Sequence, residues 1–168
     1  SCSKELIYYD VAFNEQTLKM HKTFNCPHCG SSLQKKDCDH AWILETDLYT
    51  GEHNRVIKQV PVHINYSVGK KRYTKRPDEY DLEVLNQINE LKIGDWFPID
   101  RMREGSEGRR NDRIGLTNAY QFYTKRNLIV LAHLYEKCKH SQKLMFWFTS
   151  CLPKLTIMNR YMPQHGSR

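Results

Sequence analysis

The chain has no apolar run approaching the roughly 20 residues that a helix needs to cross a bilayer, which excludes a helical membrane span. It also lacks the short motifs that announce common chemistries. There is no Gly-x-Ser-x-Gly, no His-Glu-x-x-His, no Gly-x-Gly-x-x-Gly and no Gly-Lys-Ser/Thr. Eight histidines are present, but none stands at a recognisable spacing from a nucleophile. Acid is missing over a long stretch, since residues 137–168 contain neither Asp nor Glu. The opening residues lack the basic start and apolar core of a secretion signal. Six irregularly spaced cysteines are then read as thiols or metal ligands rather than disulfides, and the chain is expected in the cytoplasm.

What is present is basic and lean. With 168 residues, one domain or one domain with an appendage is expected. Only 39% of residues are hydrophobic and the mean hydropathy is −0.72, so the core must be small. A formal net charge of +7 and a pI near 9.1 point to an anionic partner without specifying a fold.

Residues 1–60 read as short strands around a cysteine site. Leu6 to Tyr9 and Val11 to Phe13 have strand composition, as do Ala41 to Leu44 and Val56 to Val60. Between them lies Cys26-Pro27-His28-Cys29-Gly30. Two thiolates on such a tight turn suit one tetrahedral zinc, with Gly30 permitting the turn. A closed site needs further ligands. Cys2-Ser3-Lys4-Glu5 has the form of the back half of another knuckle, whose front half would precede Ser1, and that is the preferred set: Cys2, Cys26 and Cys29. Cys38 and His40 offer a competing set, and His28 a substitute. The zinc would be structural.

Residues 61–118 read as basic loops with one helix. An apolar segment (Val60, Val62, Ile64, Tyr66) leads to Gly69 and then to Lys70, Lys71, Arg72, Tyr73, Thr74, Lys75 and Arg76. Five cations without an acid suit a polyphosphate, and Tyr73 offers a ring for stacking on a base. The plain alternative is a solvated loop. A helix is expected from Asp78, which caps it, to Gly94, with Leu82, Leu85, Ile88 and Leu91 as its core stripe. Residues 95–118 read as a long loop in which Arg101, Arg103, Arg109, Arg110 and Arg113 alternate with acids. Arginine's planar fork can grip phosphate or guanine in two-pronged fashion, which lysine cannot.

Residues 119–168 read as helical. Thr117 or Asn118 is expected to cap a helix over 119–139, with Leu128, Leu131, Ala132 and Tyr135 on its buried face. Lys125, Arg126 and Asn127 lie near its start. A last helix begins near Gln142, rich in aromatics, and Pro153 should kink or end it. The expected class is therefore α+β: a zinc-ribbon-like antiparallel β-module, then two or three helices and a long basic loop.

Taken in order, several stretches resemble bacterial site-specific DNA methyltransferases of the amino-methylating kind (adenine N6 or cytosine N4). They are Tyr9-Asp10-Val11-Ala12, Cys26-Pro27-His28-Cys29-Gly30, and Ile64-Asn65-Tyr66-Ser67-Val68-Gly69-Lys70-Lys71-Arg72-Tyr73. Further on stand Trp96-Phe97-Pro98, Arg109-Arg110-Asn111-Asp112, Phe122-Tyr123-Thr124-Lys125-Arg126-Asn127-Leu128 and Asn159-Arg160-Tyr161-Met162-Pro163-Gln164-His165-Gly166. The resemblance implies an inserted target-recognition segment that binds duplex DNA. The S-adenosylmethionine and Asp-Pro-Pro-Phe-like catalytic motifs of such enzymes do not occur here, so the methyltransferase catalytic domain of a parent chain would supply them. On this reading Lys70, Lys71, Arg72, Lys75 and Arg76 contact phosphates. Arg109, Arg110, Arg113, Lys125, Arg126 and Asn127 face a groove or the target base. The alternatives are a zinc-ribbon module that braces such an enzyme or holds a protein partner, and an RNA-binding ribbon.

Overall fold

A computed structural model describes residues 2–159; the expected tail from Arg160 onward lies outside them. The described residues form an α+β structure of five helices and four separate two-stranded antiparallel sheets. They fall into two compact units. The first takes residues 2–43 and 57–76, and the second takes residues 44–56 and those from Pro77 onward.

In the first unit, the two expected strand segments, Leu6 to Tyr9 and Val11 to Phe13, are largely replaced by one helical turn, α1 (Tyr8–Ala12), running into β1 (Phe13–Asn14). Packing overrides strand propensity here. The turn stacks Tyr9 on Phe13 with ring centroids 4.6 Å apart, sets Tyr8 edge-on to Phe24 at 5.7 Å, and buries Ala12 completely. β1 pairs with β2 (Lys19–Met20), and β3 (Thr23–Asn25) pairs with β4 (Ser32–Gln34). The Cys-Pro-x-Cys-Gly turn is the tip of this second hairpin. β5 (Trp42–Thr46) and β6 (His53–Ile57), most of whose residues belong to the second unit, pair as the sequence suggests.

The cationic stretch is not a loop. β7 (Ile64–Val68) pairs with β8 (Lys71–Lys75) in strict register, Ile64 opposite Lys75 and Val68 opposite Lys71. Gly69 and Lys70 form the two-residue turn, with Gly69 at φ +60. A positive φ at the first turn position only is the type II′ pattern that suits the twist of a hairpin and calls for glycine there.

From Pro77 the second unit is mainly helical. α2 (Glu79–Glu90) starts where expected, Asp78 and Asp81 each accepting the other's backbone N–H in a capping box. It ends at Glu90, short of Gly94, and its stripe is not core: no residue of α2 is buried, and Leu82 and Leu91 are 43% and 53% exposed. The expected unstructured loop over 95–118 contains α3 (Ser106–Asp112) and an antiparallel bridge from Arg101 to Asn118. The expected helix over 119–139 is broken. Residues Ala119–Phe122 make a 3-10 turn, Tyr123 is extended, and Thr124 caps α4 (Lys125–Cys138) by accepting from the Asn127 N–H. The cap is thus six residues beyond Asn118, because a threonine in extended conformation offers its hydroxyl to a free amide of a new helix. α5 (Gln142–Leu155) continues two residues past Pro153, which sits in its last turn.

The core of this unit is where α4 meets α5. Leu131, Cys138 and Phe148 are buried together, with Tyr123, Leu134, Tyr135, Met145, Leu152 and Leu155 packed around them. Leu128 and Ala132 complete the buried face of α4 as expected, while Tyr135 is half-buried. Leu131→Ala should therefore destabilise this unit by about 2–5 kcal/mol. Urea unfolding followed by helical circular dichroism should show this as a lower midpoint; an unchanged midpoint would remove Leu131 from the core.

Candidate metal centre and nucleic-acid interface

The hairpin β3–β4 aims two sulfurs at one point. Cys26 follows the last residue of β3, its N–H donates to the Ser31 carbonyl at 2.8 Å, and the Gly30 N–H returns to the Cys26 carbonyl at 2.9 Å. Gly30 has φ +74, which closes the turn. The third sulfur comes from Cys2, with Sγ 3.7 Å from that of Cys26. All three Sγ atoms lie within 4.8 Å of one another. A zinc–sulfur bond of about 2.3 Å puts tetrahedral ligand sulfurs about 3.8 Å apart, so the spacing fits one zinc ion.

Cys2 and Cys29 sit in matching local frames. Each is followed by a residue in the left-handed region, Ser3 at φ 52 and Gly30 at φ 74. A serine there is uncommon. In each case the backbone two residues on hydrogen-bonds the sulfur, Lys4 for Cys2 and Ser31 for Cys29. Cys2 thus occupies the position of the second cysteine of a knuckle, like Cys29. The Ser31 hydroxyl and then its backbone amide hold the Cys29 thiol down to about 6, well below an ordinary thiol. Cys2 moves upward: the Lys4 amide opposes that shift, but desolvation and the two neighbouring sulfurs outweigh it. A low-pKa sulfur is the form that ligates metal.

Among the described residues this trio is the sole group of three or more side chains placed to share a metal. Cys38 and His40 border the same concave surface but are not part of it, and the Cys38 sulfur is 3.8 Å from the Gln34 carbonyl. His28 is turned to the Glu5 carbonyl at 3.0 Å.

The cations divide between the two units. In the first, Lys70, Lys71 and Arg72 are exposed on β7–β8, Lys75 is half-buried at its base, and Arg76 is paired with Asp10 at 2.9 Å. The register sorts this ribbon into two faces. Ile64, Tyr66, Val68, Lys71, Tyr73 and Lys75 share one; Asn65, Ser67, Arg72 and Thr74 share the other. Tyr66 and Tyr73 stack with centroids 5.4 Å apart.

In the second unit, Arg109 and Arg110 belong to α3 and Arg113 follows it, all three exposed. Arg110 pairs with Glu107 at 2.8 Å, and Arg101 pairs with Asp112 at 2.8 Å. Lys125 is half-buried; its ammonium donates to the Tyr49 hydroxyl and lies 5.0 Å from that ring's centre. Asn127 donates its side-chain amide to the Leu155 carbonyl at 2.9 Å. Lys125 and Asn127 therefore brace the fold, whereas Arg126 is exposed.

Sequence reasoning missed Asn65, Ser67 and Thr74 as a polar face, and Ser31 as the stabiliser of a thiolate. Alternation on both sides of Gly69 was the available signal for the first. Compared with protein-family models, curated proteins and solved structures, the chain matches none.

Protein prepared with zinc should carry one ion per chain, and cobalt in its place should give intense thiolate-to-metal absorption. Cys26→Ser should abolish both, and Cys38→Ser should leave both unchanged. Full metal content in Cys26→Ser would refute the trio, as would metal loss in Cys38→Ser.

Proposed function

We propose that this chain is a DNA-binding target-recognition segment of a site-specific DNA methyltransferase, braced by a structural zinc on Cys2, Cys26 and Cys29. The observation that carries this reading is the β7–β8 ribbon. Residues 64–76 contain five cations and no acid, and they form a two-stranded sheet with no third strand among the described residues. A ribbon of two strands is an element that B-DNA's major groove admits. Cations on such a ribbon bind phosphate by releasing condensed counterions, which is favourable on any sequence. In the second unit, Arg109, Arg113 and Arg126 are exposed cations of their own.

The zinc would hold the knuckle hairpin and take no part in the chemistry. Methyl transfer would use S-adenosylmethionine and a catalytic motif of the parent enzyme, on a base taken out of the stack. The resemblance of the ordered stretches to amino-methylating DNA methyltransferases is what names the reaction; the ribbon supports only the DNA.

A second reading has its own observation. On α5, Phe146 and Trp147 are 79% and 50% exposed, a larger apolar surface than a free helix usually leaves to water. This favours a bracing or protein-holding module, with α5 laid against the methyltransferase domain. The two readings differ in what the ribbon does.

Titration of the chain with labelled duplex DNA distinguishes them. Binding is expected at about 10⁻⁴ to 10⁻⁶ M, with log K falling against log salt at a slope of roughly −3 to −4 if about four phosphates are neutralised. Lys70→Ala should lower the slope by about one unit. Salt-insensitive binding, or a charge-reversed ribbon with unchanged affinity, would favour the bracing module.

A further inference from the structure

We propose that the ribbon reads sequence with one face only, that of Asn65, Ser67, Arg72 and Thr74, and that the opposite face leans on the backbone. This inference rests on the duplex-DNA reading above and deepens it by separating the residues that specify from those that merely attract.

The two faces differ in chemistry. On the tyrosine face, Ile64 and Lys75 at the base of the ribbon are half-buried, and Tyr66, Val68, Lys71 and Tyr73 are exposed. Each residue of the other face is exposed as well. That face has no apolar side chain. Three of its four members are short, which lets the strands come close to a groove floor, and the fourth is an arginine long enough to reach beyond them.

These are also the side chains whose geometry matches base edges. Arginine meets guanine O6 and N7 with two bonds, asparagine meets adenine N6 and N7, and serine or threonine serves either. Asn65 has its Oδ1 at 3.0 Å from a ring nitrogen of His63. The second lone pair of that oxygen and the Nδ2 hydrogens are the groups that would meet an adenine edge.

The spacing fits as well. Asn65 stands opposite Thr74 and Ser67 opposite Arg72, two cross-strand pairs on the same face. Successive residues on one face of a strand are about 6.8 Å apart, at about 3.4 Å per residue. Bases rise about 3.4 Å per step along each strand of the duplex. With the ribbon lying along the groove, the two pairs address positions about two base pairs apart. The ribbon carries its phosphate contacts elsewhere: Lys70 at the tip and Lys71 on the opposite face.

The test is selection of preferred duplexes from a random library by the full chain, followed by affinities for the selected and a scrambled duplex. Asn65→Ala and Arg72→Lys are the informative variants; the second keeps the charge and loses the planar fork. Each should reduce the preference for the selected duplex about tenfold or more, at base positions about two steps apart, with scrambled-duplex affinity changed less than about twofold. Lys70→Ala with Lys71→Ala should weaken both duplexes equally. Zinc content equal to that of the unchanged chain controls for folding. If the variants bind DNA with undiminished preference, or the unchanged chain binds without any, the reading face is wrong while the DNA function stands. If the unchanged chain does not bind duplex at low salt, the DNA reading itself falls and this inference with it.

Discussion

Bringing Cys2 to within 3.7 Å of Cys26, 24 residues away, costs chain entropy that this unit has little apolar burial to offset. Among its described residues only Ala12, Phe24 and Cys26 are buried hydrophobics, and one of these three is itself a sulfur of the cluster. Three free thiols so close together gain almost nothing from one another. Desolvation and the adjacent sulfurs push the Cys2 thiol upward, so in the absence of a cation a second negative charge is resisted. A divalent ion reverses that balance, because thiolate ligation converts the crowding into folding free energy. The N–H donors from Lys4 and Ser31 are arranged for charged sulfur, which is the state that an ion would stabilise.

The second unit shows what the alternative looks like. Leu131, Cys138 and Phe148 join α4 to α5 through ordinary packing, and no ligand is needed to account for it. Cys138 is buried there and belongs to that core, which separates it in kind from the three sulfurs of the first unit. Its cations tell a related story. Arg101 and Arg110 face Asp112 and Glu107, and Lys125 is set against Tyr49. Exposed ion pairs of this sort contribute about 0–1 kcal/mol each, but they do lower the charge left for an outside partner. Counting arginines in residues 95–118 therefore overstates the field there. The sequence of the ribbon contains no acid, yet Arg76 at its base is likewise paired, with Asp10 of α1.

Elements whose cause is local were legible from the residues. The Asp78 cap, the buried stripe of Leu128, Leu131 and Ala132, and the Cys-Pro-x-Cys-Gly turn each depend on neighbours within a few positions. Cys2 was legible for the same reason, since its knuckle-like surroundings are three residues long. Elements decided by partners far along the chain were not. α1 is helical because Tyr8 meets Phe24 and Ala12 is buried, although its composition is that of a strand. α2 has a periodic apolar stripe of which no member is buried, Leu85 and Ile88 being half-buried and Leu82 and Leu91 exposed, and periodicity alone cannot reveal this. The cationic stretch was recognised by charge, but its pairing with residues 64–68 fixes the faces, and register is a long-range property until the two-residue turn is noticed.

An isolated two-stranded ribbon is marginal in water, so something must hold β7–β8 in place. Arg76, just past β8, meets Asp10 of α1, and His63, just before β7, lies 6.0 Å from the ring of Tyr9 on the same helical turn. Tyr8 of that turn packs edge-on against Phe24, which is buried in β3 two residues before Cys26. The line of contacts thus runs from the sulfurs through β3 and α1 to the base of the ribbon, at both of its strands. None of these links is strong: the ion pair is partly exposed and each ring pair contributes about 0.5–1.5 kcal/mol. Their rigidity is borrowed from the hairpin that the cysteines close. A site that only attracts phosphate would survive loosening of that line, because counterion release does not depend on orientation. A site that distinguishes bases would not, since an amide or guanidinium misplaced by an ångström loses its paired hydrogen bonds. On the proposed reading, metal binding at the sulfurs and base discrimination by the ribbon are mechanically one problem, although the residues are tens of positions apart along the polypeptide.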